Sequence, residues 1–201
     1  MNIRLIALAS GALLTATALA GCTPGPSGDG SGMGNMPGMD HSSSTDAATS
    51  DHNHADVTFA MEMVAHHQQA IEMSDTLLAK QGVDAQVTGL AQKIKAAQQP
   101  EIDTMNGWLR TWGQETGMGG MDMDGSGMMS QQDMDALTAA SGTEASRLFL
   151  TQMIQHHEGA VTMATAETEK GQATDAVALA KKIVTAQTAE IAEMKKLLAS
   201  L

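Results

Sequence analysis

The sequence contains little of what disulfide-bonded, aromatic-cored or nucleic-acid-binding proteins require. It has one cysteine, so an intramolecular disulfide is excluded. Aromatic residues make up 2% of the 201 residues, and therefore any core must be built from Ala, Leu, Ile, Val and Met. There are 11 basic residues against 23 acidic ones, a net charge of -12, so nucleic acid is a poor partner and cations are better ones.

Common catalytic patterns are also missing. The chain has no nucleophile–base constellation and no cysteine-based metal motif, and the glycines near Met118 to Gly127 lack the strand-to-helix context of a phosphate loop. Di-metal oxidases in helical bundles use Glu-x-x-His, which does not occur here. We therefore predict a binding protein and no enzyme. A di-metal oxidase is the enzymatic alternative, with carboxylates from Glu62, Glu101, Glu158 and Glu190.

The N-terminus has the features of an export signal. Arg4 precedes LIALASGALLTATALA, an apolar stretch too short to span a bilayer comfortably, which is typical of a secretory signal. It ends in Leu-Ala-Gly-Cys, which resembles the bacterial lipoprotein processing box, so we expect residues 1–21 to be removed and Cys22 to be lipidated. An ordinary signal with a spare thiol is the alternative. Lipidation would anchor the protein to the outer face of a bacterial membrane, in the cell envelope.

Residues 22–55 have the composition of a flexible tether. Gly, Ser, Pro and Asp are frequent and almost nothing bulky is available for burial. The segment also carries donors for soft metals, namely Met33, Met36, Met39, His41, His52 and His54. Metal collection is therefore an alternative to a plain spacer.

The domain expected at residues 56–201 consists of two matching halves, about 56–114 and 143–201. FAMEMVAHHQQAIEMSDTLLAK aligns with FLTQMIQHHEGAVTMATAETEK, and KIKAAQQPEIDTMNGWL aligns with KIVTAQTAEIAEMKKLL. Apolar residues at three- and four-residue spacing predict two helices in each half. We predict an all-α four-helix bundle made of two duplicated helical hairpins, with a short extra helix in the central connection.

Local signals predict where the helices begin. Asp56 is expected to cap the first helix and Thr143 the third long one. Ser130 with Asp133 forms a capping-box-like pattern at the start of the short helix. Pro100 is expected to kink the second helix rather than break it.

Each half contains a histidine pair between two methionines. The pairs are His66–His67 between Met63 and Met73, and His156–His157 between Met153 and Met163. At about 100° per residue, the first histidine of each pair shares a helical stripe with both methionines, and the second histidine flanks it. Such methionines are usually core filler, and duplication alone explains the recurrence. The chain, however, has 17 methionines, many of them in loops, and thioether with imidazole suits Cu(I).

Four motifs carry a family resemblance. FxxxMVAHHQQAIEMS, QQPEIDTMNGWL, GMMSQQDMDALTAASG and FLTQMIQHHEGAVTMA resemble the bacterial family called domain of unknown function 305, from about Asp56 to Leu201. The resemblance implies an exported, ferritin-like four-helix bundle, and some family members bind copper and help cells tolerate it. It implies as copper ligands Met63, His66, His67, Met73, Met153, His156, His157 and Met163, with Met105 and Met194 as additions.

These features predict a lipid-anchored envelope protein that sequesters or buffers copper, chiefly Cu(I). Each Met-His-His-Met stretch is interpreted as a half-site or a whole site, with His66 and His156 more central than their neighbours. A copper chaperone that hands the metal to an accepting protein is an alternative, because holding and transferring need the same ligands. Glu101 and Glu190 occupy matching positions and are candidates to hold the histidines by hydrogen bonds, or are plain surface charges.

Overall fold

The computed structural model describes residues 51–114 and 126–201. The predicted signal peptide, Cys22, most of the tether and the methionines from Met118 to Met123 lie outside the described residues. The described part contains α1 (His54–Leu78), α2 (Ala85–Thr111), α3 (Gln131–Ala139), α4 (Gly142–Lys170) and α5 (Thr174–Ser200). It contains no strand, and none of its helices is long and apolar enough to cross a membrane.

The four long helices form a ferritin-like bundle of two hairpins, as predicted. α1 packs on α2 and α4 packs on α5, and the hairpins meet mainly through α1 and α4. These two helices run antiparallel, because Phe59 and Ala60 near the start of α1 share an apolar cluster with Ala160 and Ala164 late in α4. The short central helix, α3, packs against both.

Two helix starts differ from the prediction. The N-cap of α1 is Asn53, and Asp56 is the third helical residue, which completes a capping box with Asn53 rather than capping the helix itself. The N-cap of α4 is Ser141 rather than Thr143, because Gly142 with φ 56° turns the chain directly into the helix. The predicted capping box of Ser130 and Asp133 at α3 is confirmed.

Pro100 lies inside α2, and the helix continues past it. Proline cannot donate a hydrogen bond to the carbonyl four residues earlier, which is that of Ala96. Pro100 is on the exposed face, where water can reach the freed carbonyl. The prediction that the helix does not break is confirmed.

Equivalent polar contacts tie each hairpin to the turn of the other. The Asp56 carboxylate accepts hydrogen bonds from the backbone N–H groups of Gln172 and Ala173, at 3.0 and 2.9 Å, in the α4–α5 turn. Ser146 occupies the position of Asp56 in the second half, and its Oγ accepts from the Asp84 N–H at 3.1 Å in the α1–α2 turn. The duplication is thus preserved in the contacts between hairpins.

Asp56 also faces a second buried carboxyl, that of Glu167 on α4. Burial opposes ionisation of Asp56, but the hydrogen bonds from the backbone of Asn53, Ala173 and Gln172 and the contact with Glu167 outweigh it and lower the pKa of Asp56. Glu167 is 2% exposed, and burial followed by the nearby Asp56 raises the pKa of Glu167 to about 8. Glu167 is therefore protonated at neutral pH.

Candidate metal centre

The four predicted histidines lie together in the interior of the bundle, each 0% exposed. The rings of His66 on α1 and His156 on α4 face each other, with centroids 3.7 Å apart and planes inclined by 37°. The His157 ring centroid is 6.4 Å from that of His156. This placement agrees with the expectation that His66 and His156 are the central pair.

The outer histidines are held by carboxylates from the second helix of each hairpin. His67 Nε2 lies 2.7 Å from Glu101 Oε2, and His157 Nε2 lies 2.8 Å from Glu190 Oε2. A carboxylate oxygen accepts, so Nε2 of each ring donates to it, and Nδ1 of each ring is left without a hydrogen-bond partner. Glu101 and Glu190 therefore hold the histidines rather than serve as plain surface charges.

A short connection covers His66. We call Ser126–Ser130 the strap; its Ser126 carbonyl accepts a hydrogen bond from His66 Nε2 at 3.1 Å. Gln69 fixes the other end, because its side chain accepts from the Met129 N–H at 2.7 Å and donates to the Met129 carbonyl at 2.8 Å. The strap runs so close to Gly159 of α4 that a Cβ there would overlap the Ser126 carbonyl oxygen.

Sequence reasoning missed the strap, although a signal was available. Gln69 and Gly159 stand at equivalent positions, where the two copies differ as HHQQA and HHEGA. One copy supplies the amide that binds the strap, and the other supplies the space in which the strap lies. The difference between the two halves beside the paired histidines therefore indicated a contact, that of the strap, which each half makes differently.

Several buried ring nitrogens have no hydrogen-bond partner. They are Nδ1 of His66, His67 and His157, and both nitrogens of His156. Burial lowers the pKa of His66 to about 3 and the pKa of His156 well below its usual value, with nearby histidines adding to both shifts. Both rings are therefore neutral at neutral pH. Unpaired buried polar atoms are rare in folded proteins, and the lone pair of a neutral imidazole is a good metal ligand.

The methionines are distributed differently from the prediction. Met63 and Met73 are ten residues apart in α1, about 15 Å along the helix, so they cannot share one ion. Antiparallel packing instead gives two groups, each combining one methionine from each stretch with one from α2 or α5. The first group is Met63, Met105 and Met163, and the second is Met73, Met153 and Met194. A whole site that uses both methionines of one stretch is thus excluded, and the half-site alternative stays a prediction.

The donors present fit a soft ion better than a hard one. Among residues 51–114 and 126–201, no three His, Cys, Asp or Glu side chains form a metal site. The interior does bring neutral imidazoles close to thioethers, because Met63 precedes His66, and Met153 precedes His156, by less than one helical turn. All four side chains are 0% exposed, and thioether with imidazole is a donor set that suits Cu(I).

Two further buried polar residues, on α2 and α5 close to the histidine-binding glutamates, were not predicted as part of the site. Gln98 and Gln187 are each 3% exposed, and the Oε1 atom of each has no hydrogen-bond partner. They stand at equivalent positions, one turn before Glu101 and Glu190. The presence of glutamine at the same position in both halves of the repeat could have identified them from the sequence.

Comparisons with known proteins agree with this architecture. The model of the domain of unknown function DUF305 matches residues 56–198. A DUF305 protein from Streptomyces coelicolor is 34% identical, with a TM-score of 0.69 over 73% of this chain and 93% of that one. A DUF305 fragment from Deinococcus radiodurans is 30% identical, with a TM-score of 0.69 over 74% and 98%.

A third similar structure contains metal. CopM in its Cu(I)-bound form is 31% identical, with a TM-score of 0.61 over 72% of this chain and 96% of that one. CopM is also known in Cu(II)-bound and silver-bound forms. No curated protein matches the sequence.

Proposed function

The chain belongs to the DUF305 family, and from this premise we propose that it binds copper, chiefly as Cu(I), and sequesters or buffers it. One observation carries the proposal: the neutral His66–His156 pair, with unpaired buried nitrogens, lies between two groups of methionines. The copper- and silver-bound forms of CopM support the choice of a soft metal ion. Copper tolerance would follow from holding the ion in the protein interior.

In this proposal each part of the site has a separate task. The central pair and the neighbouring thioethers of Met63 and Met153 bind the ion, since soft donors favour Cu(I) over hard cations. Glu101 and Glu190 fix the ring orientation and proton position of the outer histidines. The strap does the same for His66 through the Ser126 carbonyl, so that Nδ1 is the nitrogen available to metal.

We further propose that the protein works outside the cytoplasm, anchored by a lipid on Cys22. The support is the Leu-Ala-Gly-Cys string directly after an apolar signal stretch. In an oxidising compartment thiols tend to form disulfides, so thioethers are the more durable soft ligands. Lipid anchoring would keep the copper-binding domain at the membrane surface.

No enzymatic role is proposed. Three of the four carboxylates considered for a di-metal oxidase have other contacts: Glu101 and Glu190 bind histidines, and Glu158 is exposed and pairs with Lys195 at 3.1 Å. A chaperone that passes copper to a partner uses the same interior ligands, so transfer to an acceptor protein is the second candidate.

Titration with Cu(I) in competition with a coloured chelator tests the proposal. We expect the double variant Met63→Leu, Met153→Leu, which keeps the core volume, to bind Cu(I) at least about 10-fold more weakly. The double variant His66→Ala, His156→Ala is expected to bind Cu(I) at least about 100-fold more weakly than the wild type. Met128 is half-buried and lies outside both methionine groups, so Met128→Leu is the control for loss of a thioether. Equal affinity in all four proteins would contradict the ligand assignment.

A further inference from the structure

A surface pocket lies at the end of the bundle where α1 begins and α2 ends. It has a volume of about 500 Å³ and is lined by His52, Asn53, His54, Val57, Thr58, Met61 and Gln114. His54 and Met61 are seven residues apart, two helical turns, so they lie on the same face of α1. Two imidazoles and a thioether therefore converge on one open cavity outside the interior site.

Two tryptophans adjoin this pocket. The His52 ring stacks on Trp112, with centroids 4.7 Å apart and planes inclined by 11°. Trp108 stacks behind Trp112 at 6.0 Å. Trp112 therefore adjoins the pocket through the ring of His52, which lines it. These are the 2 tryptophans of the chain.

Polar and ring contacts fix the position of His52 at the edge of the pocket. Its Nδ1 lies 3.2 Å from the Asp51 carboxylate. Asp51 also places a negative charge near the positive N-terminal end of α1, which would otherwise oppose a cation. His54 is exposed and free to turn towards the cavity.

The pocket adjoins the apolar cluster at one end of the interior site. Val57, Met61, Trp108 and Trp112 pack against the apolar cluster that contains Met63 and Met105. Met61, which is half-buried, thus lies between the pocket and the cluster.

We propose that this pocket is a second, surface site for a soft monovalent cation, Cu(I), held by His52, His54 and Met61. The proposal rests on the proposed function for the identity of the ion. The pocket exchanges ions with solvent, and the buried histidines retain them. This assigns His52 and His54 to the folded domain rather than to the tether.

Fluorescence of Trp112 tests the pocket directly. In a Trp108→Phe background Trp112 is the sole indole, and silver nitrate is the probe because Ag(I) mimics Cu(I) without redox chemistry. We expect silver to quench Trp112 and the added changes His54→Gln and Met61→Leu to weaken that quenching at least 10-fold. Thr58→Ala, which alters the same pocket without removing a soft donor, is the matched control. Helicity measured by circular dichroism checks that each variant is folded.

The outcomes separate this proposal from the function on which it rests. His66→Ala with His156→Ala is expected to lower the silver retained after gel filtration while leaving Trp112 quenching intact. Quenching that is unchanged by His54→Gln and Met61→Leu, or equally weakened by Thr58→Ala, would overturn the surface site. Full silver retention by the His66, His156 variant would instead overturn the interior site.

Discussion

At the scale of residues, the paired histidines combine two properties that rarely occur together. His66 and His156 are fully buried, yet they keep unpaired ring nitrogens. Burial holds them neutral, so a metal ion does not have to displace a proton at neutral pH. The buried thioethers make the site apolar and provide soft donors, which bind water and hard cations poorly.

Glu167 gives a pH dependence that can be isolated by one substitution. Its pKa rises to about 8 in the fold, so its contribution to stability is full below pH about 4.5 and is lost as the pH rises through 8. Glu167→Gln removes this titration. We expect the variant to gain on the wild type by up to roughly 4 kcal/mol in free energy of unfolding between pH 5 and pH 9.

Urea denaturation at pH 5, 7 and 9 measures this difference. Glu169→Gln is the matched control, because Glu169 lies two residues away on the exposed face of α4. Asp56, which contacts Glu167, stays ionised between pH 5 and pH 9 because its pKa is lowered, and groups that do not contact Glu167 titrate alike in both proteins and cancel. A difference in stability that does not change with pH would show that Glu167 ionises normally.

At the scale of elements, the strap is the part of the site that depends most on a single backbone contact. Gly159→Ala would direct a methyl group into the Ser126 carbonyl. We expect a loss of about 1–3 kcal/mol in stability, as for other overpacked sites. Gly89→Ala is the control, because nothing lies within 4 Å of its Cβ position in α2, and there alanine should stabilise by up to about 1 kcal/mol.

Thermal unfolding of the two variants shows whether the strap packs closely on Gly159. Opposite shifts in melting temperature, downward for Gly159→Ala and upward for Gly89→Ala, are expected. If both substitutions raise the melting temperature, the strap does not pack on α4 as described.

Helices and their pairing into hairpins could be predicted from the sequence because apolar spacing and the repeat are local signals. The helix starts were less accurate, since Asn53 and Ser141 compete with nearby residues that are equally good caps. The strap could not be predicted, because its contact joins residues 60 apart that share no pattern. Contacts of this kind are set by packing rather than by propensity.

At the scale of the whole molecule, the antiparallel meeting of the two hairpins determines how the ligands combine. The sequence correctly predicted which residue types line the interior. It could not predict that Met63 groups with Met163 rather than Met73, because that depends on the direction in which α1 and α4 cross. The duplication therefore produces one histidine cluster with a methionine group on either side.

Copper retained by the protein in cells is the most direct test of this arrangement. Protein is purified from cells grown with added copper, as the wild type and as a variant with His66, His67, His156 and His157 replaced by Ala, and copper is measured by mass spectrometry against protein. Folding of the variant is checked by circular dichroism, with the Met63→Leu, Met153→Leu protein as a second variant. We predict copper in the wild type and much less in both variants. Equal copper in all three proteins, or none in the wild type, would contradict the account.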